Sequence, residues 1–213
     1  MTDQPATSAT SPAVPHAGKF YVIESSFHGG GKVPGIEIAN RDRLWAPGWA
    51  VMLPPDGDPN QYPETPHLVQ VPEKGGMPRD LEELAGIWIV SERAKQVFES
   101  VDPEGFAFAA CDFTLADGSS GPQYYLCGVV RTLDALDEET SKLRVKTGDD
   151  YVNGKFYSLA GGASLVFREE VVGSAKIFMT PYSGDEVFCT RMLRDALKSA
   201  GLTGVGLTDA AAC

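Results

Sequence analysis

The chain has 213 residues, 43% hydrophobic and 22% charged, which fits one large globular domain or two small ones. Its 29 acidic against 18 basic side chains give a formal net charge of −11. That surplus disfavours nucleic acid, because binding a phosphate backbone needs clustered Lys and Arg. It favours basic partners. No apolar run is long enough to span a bilayer as a helix, so no membrane partner is expected.

Residues 1–18 are rich in Pro, Ser, Thr and Ala and lack the basic and apolar regions of a signal peptide. They are expected to be a disordered tail, with one domain over residues 19–213. Phe20 to Ile23 reads as a first strand, followed by the loop Phe27-His28-Gly29-Gly30-Gly31. This loop is similar to the oxyanion element of some esterases. However, no G-x-S-x-G is present, and Gly118-Ser119-Ser120-Gly121 has the wrong spacing for a nucleophile elbow. A glycine loop after an edge strand is the preferred reading.

Residues 32–66 look irregular. Trp45 and Trp49 flank a turn at Pro47-Gly48, and Val51 to Leu53 reads as a short strand. A proline-rich loop with Asp56 and Asp58 follows. Long loops of this kind are functional or mobile. The two aspartates lack the rest of a calcium loop, and no metal or cofactor is expected. His67 to Val71 alternates as a strand, and Leu81 to Leu84 reads as the start of a short helix.

The clearest pattern runs from Ile87 to Phe108. Ile87 to Val90 is an unbroken apolar run, as in a buried strand. Ser91 suits a helix N-cap. Ala94, Val97, Phe98 and Val101 then share one helical face, and Asp102-Pro103-Glu104-Gly105 ends the helix. Phe106, Phe108 and Ala110 alternate as a second strand. The plan returns at an offset of 99 residues, with Thr190 for Ser91 and Gly204 for Gly105. There Leu193, Ala196, Leu197 and Ala200 form the stripe, and Val205 and Leu207 the closing strand. The chain thus holds two similar strand-helix-strand units, either duplicated or two uses of one common motif. Neither has a capping box, since Ala94 and Leu193 stand where Glu or Gln would be needed.

Asp117 to Pro122 reads as a hairpin loop, so the strands on either side should pair antiparallel. Gln123 to Leu133 is the strongest mid-chain strand. The stretch Asp134, Asp137, Glu138 and Glu139 is an acidic turn with no histidine beside it, so a solvated face is favoured over an acid–base pair. Phe156–Leu159, Ser164–Phe167 and Ala175–Met179 read as short strands. Cys111, Cys127 and Cys189 lie in apolar segments and read as small buried hydrophobes. Cys213 reads as a mobile thiol.

The run Ile89-Val90-Ser91-Glu92-Arg93, with Pro78-Arg79-Asp80 upstream and Asp134-Ala135-Leu136-Asp137 downstream, resembles immunity family eleven of bacterial polymorphic-toxin systems. The ending Ala200-Gly201-Leu202-Thr203-Gly204-Val205 matches the same family, though Gly206 stands where a larger residue is expected. The resemblance covers residues 19 to 208 and implies a protein that binds and neutralises a cognate toxin. It implies no catalytic residues.

The expected fold is α+β, mostly antiparallel sheet with few helices. The expected function is a cytoplasmic, non-enzymatic immunity protein that occludes a basic secreted toxin; homodimerisation stays open. Hot spots favour aromatic residues ringed by charge. The expected interface is therefore one rim formed by Trp45, Trp49, Asp56, Asp58, Asp134, Asp137, Glu138 and Glu139. An enzyme with a pocket near His28, or a structural or regulatory subunit, are the alternatives.

Overall fold

The computed structural model describes residues 17–26, 33–45 and 52–213. In chain order the elements are β1 (Phe20–Ser25), β2 (Ile36–Ile38), β3 (His67–Gln70), β4 (Leu81–Leu84), β5 (Ile87–Ser91), α1 (Glu92–Val101), β6 (Phe106–Thr114), β7 (Tyr124–Val129), β8 (Arg144–Thr147), β9 (Lys155–Ser158), α2 (Glu169–Val172), β10 (Ile177–Met179), β11 (Val187–Thr190), α3 (Arg191–Ser199) and β12 (Val205–Asp209). They form a six-stranded sheet ordered β2-β3-β6-β7-β5-β4, a four-stranded sheet ordered β10-β11-β1-β12, and the hairpin β8–β9. Only β3 and β6 pair in parallel among the named strands. The fold is α+β and rich in antiparallel sheet, as expected.

Both strand-helix-strand units are present, at β5-α1-β6 and β11-α3-β12. In each, the two strands run parallel but do not touch. A third strand lies between them, antiparallel to both: β7 in the first unit and β1 in the second. A fourth strand pairs outside, β4 on β5 and β10 on β11. The arrangement β4-β5-β7-β6 thus repeats as β10-β11-β1-β12. The connectivity is permuted, because β7 follows its unit whereas β1 comes from far upstream.

The local signals act as the sequence implies. The Ser91 hydroxyl accepts the Ala94 N–H at 3.2 Å, capping α1. Thr190 stands at the matching place but makes no side-chain cap, and its hydroxyl is buried without a partner. Ala94 and Phe98 on α1, and Leu193 and Leu197 on α3, are fully buried. They meet Ile23, Leu81, Val90, Phe106, Ile177 and Cys189 in one core that both sheets share. Phe98 stacks on Phe106 with centroids 4.3 Å apart.

Strand alternation sends other residues to the outer faces. Val22, Phe178 and Phe188 leave the four-stranded sheet to pack beneath residues of the 133–175 segment. Ile87, Ile89, Phe113 and Leu126 leave the six-stranded sheet and are covered by Leu44 and Met52, among others. Each sheet therefore has the shared core on one face and its own covering on the other.

Several expectations are corrected. Residues 81–84 are strand, not helix: they pair with β5 across the two-residue turn Ala85-Gly86, where φ is 58° and 78°. That is the primed turn geometry hairpins prefer, made here without the usual Asn or Asp signal. Residues 164–167 form only isolated bridges, at Ser164 and Phe167. Met52 and Leu53 are not strand, and Met52 is a buried plug. β2 and β8 were not anticipated; β8 is exposed at all four residues and has no apolar face to betray it. Cys213 is docked rather than mobile: its backbone pairs with Ala163 in both directions, and its side chain packs on the outer core. Gly206 does not weaken β12, because a Cβ there would stand 2.8 Å from Ser26 Cβ.

The two units lock together at equivalent places. The Asp102 carboxylate, at the end of α1, accepts the N–H groups of Lys176 (2.7 Å) and Ile177 (3.2 Å) at the start of β10. In the other direction Asp80, at the start of β4, accepts the N–H and hydroxyl of Thr203, both at 2.9 Å, just before β12. The glycines after each helix sit against the opposite unit. A Cβ on Gly105 would lie 2.5 Å from Ile177, and one on Gly204 would lie 2.2 Å from the Leu81 carbonyl. Arg131 and Asp102 form an ion pair at 2.6 Å. Burial pushes both carboxyls up, but hydrogen bonds outweigh it: from Thr203 and Ser91 at Asp80, and from Arg131, Lys176 and Ile177 at Asp102. Both therefore ionise below their ordinary value.

Two outcomes follow for stability. Phe98→Ala lowers unfolding free energy by about 3–5 kcal/mol and Leu197→Ala by about 2–5 kcal/mol, whereas Met192→Ala, at a residue 59% exposed, stays within about 0.5 kcal/mol. Urea midpoints check this, and equal small losses at all three sites would refute the shared core. The second outcome concerns acid. A depressed carboxyl stabilises the fold above its ordinary value, and the contribution is lost as pH falls through the lowered one. Asp102→Asn should therefore destabilise the chain at pH 7 and flatten its stability profile below the ordinary value of 3.8; acid unfolding followed by circular dichroism reads both.

Candidate functional site

The acidic stretch leaves the four-stranded sheet directly. The Leu133 N–H donates to Met179 at 2.8 Å, and Ala135 and Leu136 are buried beneath it. Those anchors turn the intervening carboxylates outward. Most are already engaged. Asp134 pairs loosely with Arg168 at 3.9 Å. Asp137 accepts the N–H groups of Glu139 (3.0 Å) and Thr140 (3.2 Å), closing a turn. Glu138 takes the Tyr157 hydroxyl at 2.5 Å and an ion pair from Lys155. Thr140 lowers the Asp137 pKa, and Lys155 with Tyr157 lowers that of Glu138. Glu139 is exposed and has no ion pair among the described residues.

The second predicted stretch belongs to the other sheet. Trp45 packs against the outer core of the six-stranded sheet, with the Arg41 guanidinium 5.9 Å from its ring. Its indole N–H is buried without a partner. Trp49 lies outside the described residues, as does the His28 glycine loop. Asp56 and Asp58 each spend a carboxylate oxygen on the backbone two residues ahead, at 2.9 and 2.8 Å. The loop is tied down further by Tyr62, whose hydroxyl donates to the Leu53 carbonyl at 2.5 Å. Asp58, Tyr62 and Phe108 line an open groove of 420 Å³. The predicted residues that are described therefore fall into two groups, one on the covering of each sheet, with no hydrogen bond or ion pair joining them among the described residues.

A third surface escaped the sequence reading. Glu83 on β4 stands directly across from Trp88 on β5. Both line a cleft of 110 Å³, together with Met179 from the end of β10 and Asp185 from the turn that joins β10 to β11. The available signal was a tryptophan inside a run of buried aliphatics, paired with a carboxylate once the β4–β5 hairpin is known. Among the described residues no group of three or more His, Cys, Asp or Glu is placed to hold a metal ion, and no helix is long and apolar enough to cross a membrane.

These surfaces offer carboxylates and apolar side chains on a well-packed α+β frame, which is the chemistry of a protein-binding module. The chain belongs to the immunity protein family Imm11, whose model matches residues 19–212. Membership indicates a toxin-neutralising immunity function, in a family that is generally non-enzymatic. No curated protein matches the chain.

Proposed function

We propose that the chain is a cytoplasmic immunity protein that neutralises one cognate bacterial toxin by covering its active surface, with residues 19–213 acting as one domain. The observation that carries this is the family match across nearly the whole chain. The net charge of −11 supports a basic toxin domain as the partner. Asp134, Asp137, Glu138 and Glu139 would supply the acidic side of the contact. Trp45, Trp49, Asp56 and Asp58 would supply a second, partly aromatic side. Carboxylates facing toxin Lys and Arg speed encounter and fix orientation more than they add affinity.

The test is co-expression with the cognate toxin domain, sought first in the gene next to this chain's own. Cells carrying both should grow, and cells carrying the toxin alone should not; failure of the chain to protect would end the immunity reading. Association should slow as salt rises, because exposed charges are screened over about 8 Å at physiological ionic strength. Asp134→Lys with Glu139→Lys should slow association further and leave the melting temperature nearly unchanged, since an exposed ion pair such as that of Asp134 with Arg168 contributes about 0–1 kcal/mol. Stopped-flow mixing measures the rate, and a rate indifferent to both salt and substitution would remove the acidic stretch from the interface.

A further inference from the structure

The cleft between the two sheets has a composition unlike the rest of the surface. Trp88 is only half-buried, although its strand neighbours Ile87, Ile89 and Val90 and its cross-strand partner Cys127 are all buried. Its indole N–H has no hydrogen-bond partner among the described residues, and it is not among the fully buried polar atoms, so it reaches solvent. Several other rings are covered by the chain's own cations. Arg41 lies over Trp45, Lys95 over Phe108 and Tyr125, Lys155 over Tyr182, and Arg194 over Tyr21. Trp88 has no such cation among the described residues.

The carboxylates tell the same story. Glu83, on β4, and Asp185, in the β10–β11 turn, are exposed, and neither makes an ion pair among the described residues. This contrasts with Asp134, Asp137 and Glu138, which are engaged. Next to Asp185, burial pushes the Glu186 carboxyl up, and the nearby Glu24 and Asp185 charges push it further, as expected where negative charge is concentrated. Pro54, Val129 and Met179 also line the cleft and add apolar surface beside the indole. An indole face with two carboxylates beside it suits a planar cation. Trp is the strongest cation–π acceptor, and a guanidinium both stacks on it and takes carboxylates through a fork of donors.

We infer that the cleft lined by Trp88, Glu83 and Asp185 is a docking point for an arginine side chain presented by a basic protein partner. The cleft's 110 Å³ suits a side-chain head rather than a whole ligand. The surplus of carboxylates at its rim, in a chain of net charge −11, sets the sign of the occupant. The inference rests on the reading of the chain as a binder of a basic toxin, and it names the place where that toxin is gripped.

The probe is N-acetyl-arginine amide, titrated into the full chain while the Trp88 indole N–H signal is followed by NMR and assigned with Trp88→Phe. A saturable shift is expected, with none from the neutral isostere N-acetyl-citrulline amide. Glu83→Gln with Asp185→Asn should weaken the arginine titration at least fivefold at unchanged melting temperature. Equal shifts from citrulline, tighter binding of N-acetyl-lysine amide, or an unaffected double variant would each overturn the assignment. With the toxin domain as titrant, the double variant should raise Kd at least tenfold. If the parent protects cells and the double variant binds the toxin equally well, the cleft is not the grip, while the immunity reading stands. If the parent does not protect, that reading fails, and the arginine titration still decides the cleft.

Discussion

The fold depends on two buried carboxylates that reach across from one half to the other. Asp102 takes backbone N–H groups at the start of β10, and Asp80 takes the N–H and hydroxyl of Thr203 before β12. A buried carboxylate left alone would be costly, so each bond is worth more than its exposed counterpart. Because the two contacts lie at equivalent positions of the repeated units, they fix translation and rotation together. The close approach at Gly105 and Gly204 follows from this, since side chains there would hold the halves apart. Phe98, Leu193 and Leu197 then fill the space that the latches define.

The division of labour follows from that closure. The inner faces of both sheets are used up by the shared core, and the outer faces are covered by residues of the 133–175 segment and by Leu44 and Met52 with their neighbours. Partner-facing chemistry is left to the coverings and to the seam between the sheets. The coverings hold their carboxylates in turns and ion pairs, which makes them rigid but partly self-satisfied. The seam holds two carboxylates without an ion pair and an indole without a hydrogen bond among the described residues. Hot spots concentrate where an aromatic residue meets a sheltered margin, and the seam has that form.

The sequence made the heart of the fold legible wherever periodicity and caps agree. Ile87 to Val90, the cap at Ser91, the stripe from Ala94 to Val101 and the repeat near Thr190 all carry one strong local signal. β4 was misread because Leu81-Glu82-Glu83-Leu84 has helical composition, and only pairing across Ala85-Gly86 makes it strand. Glu82 belongs inside only because Arg79 neutralises it at 2.7 Å. β8 carries no alternation at all. The seam was illegible for a different reason: Glu83 and Trp88 meet Asp185 only after the two sheets dock, and Asp185 lies 97 residues beyond Trp88 in the chain. The predicted acidic and aromatic stretches were found by composition, which reports charge but not whether a charge is already paired.

The permuted second unit bears on how the chain comes to be folded during synthesis. β4 to β7 are consecutive, so the first unit can assemble once Val129 has left the ribosome, through contacts of short sequence separation. β1 cannot. Both its partners, β11 and β12, are made last. Until then its buried residues Tyr21, Val22 and Ile23 have no sheet to join. Closing so long a loop adds little entropy beyond a shorter one, but it leaves an apolar strand waiting for most of translation. A message cut short before Val187 would release a chain with a formed first half and a bare strand at its front, open to pairing with its own kind. A cell that relies on this chain for protection thus gains nothing from partial copies.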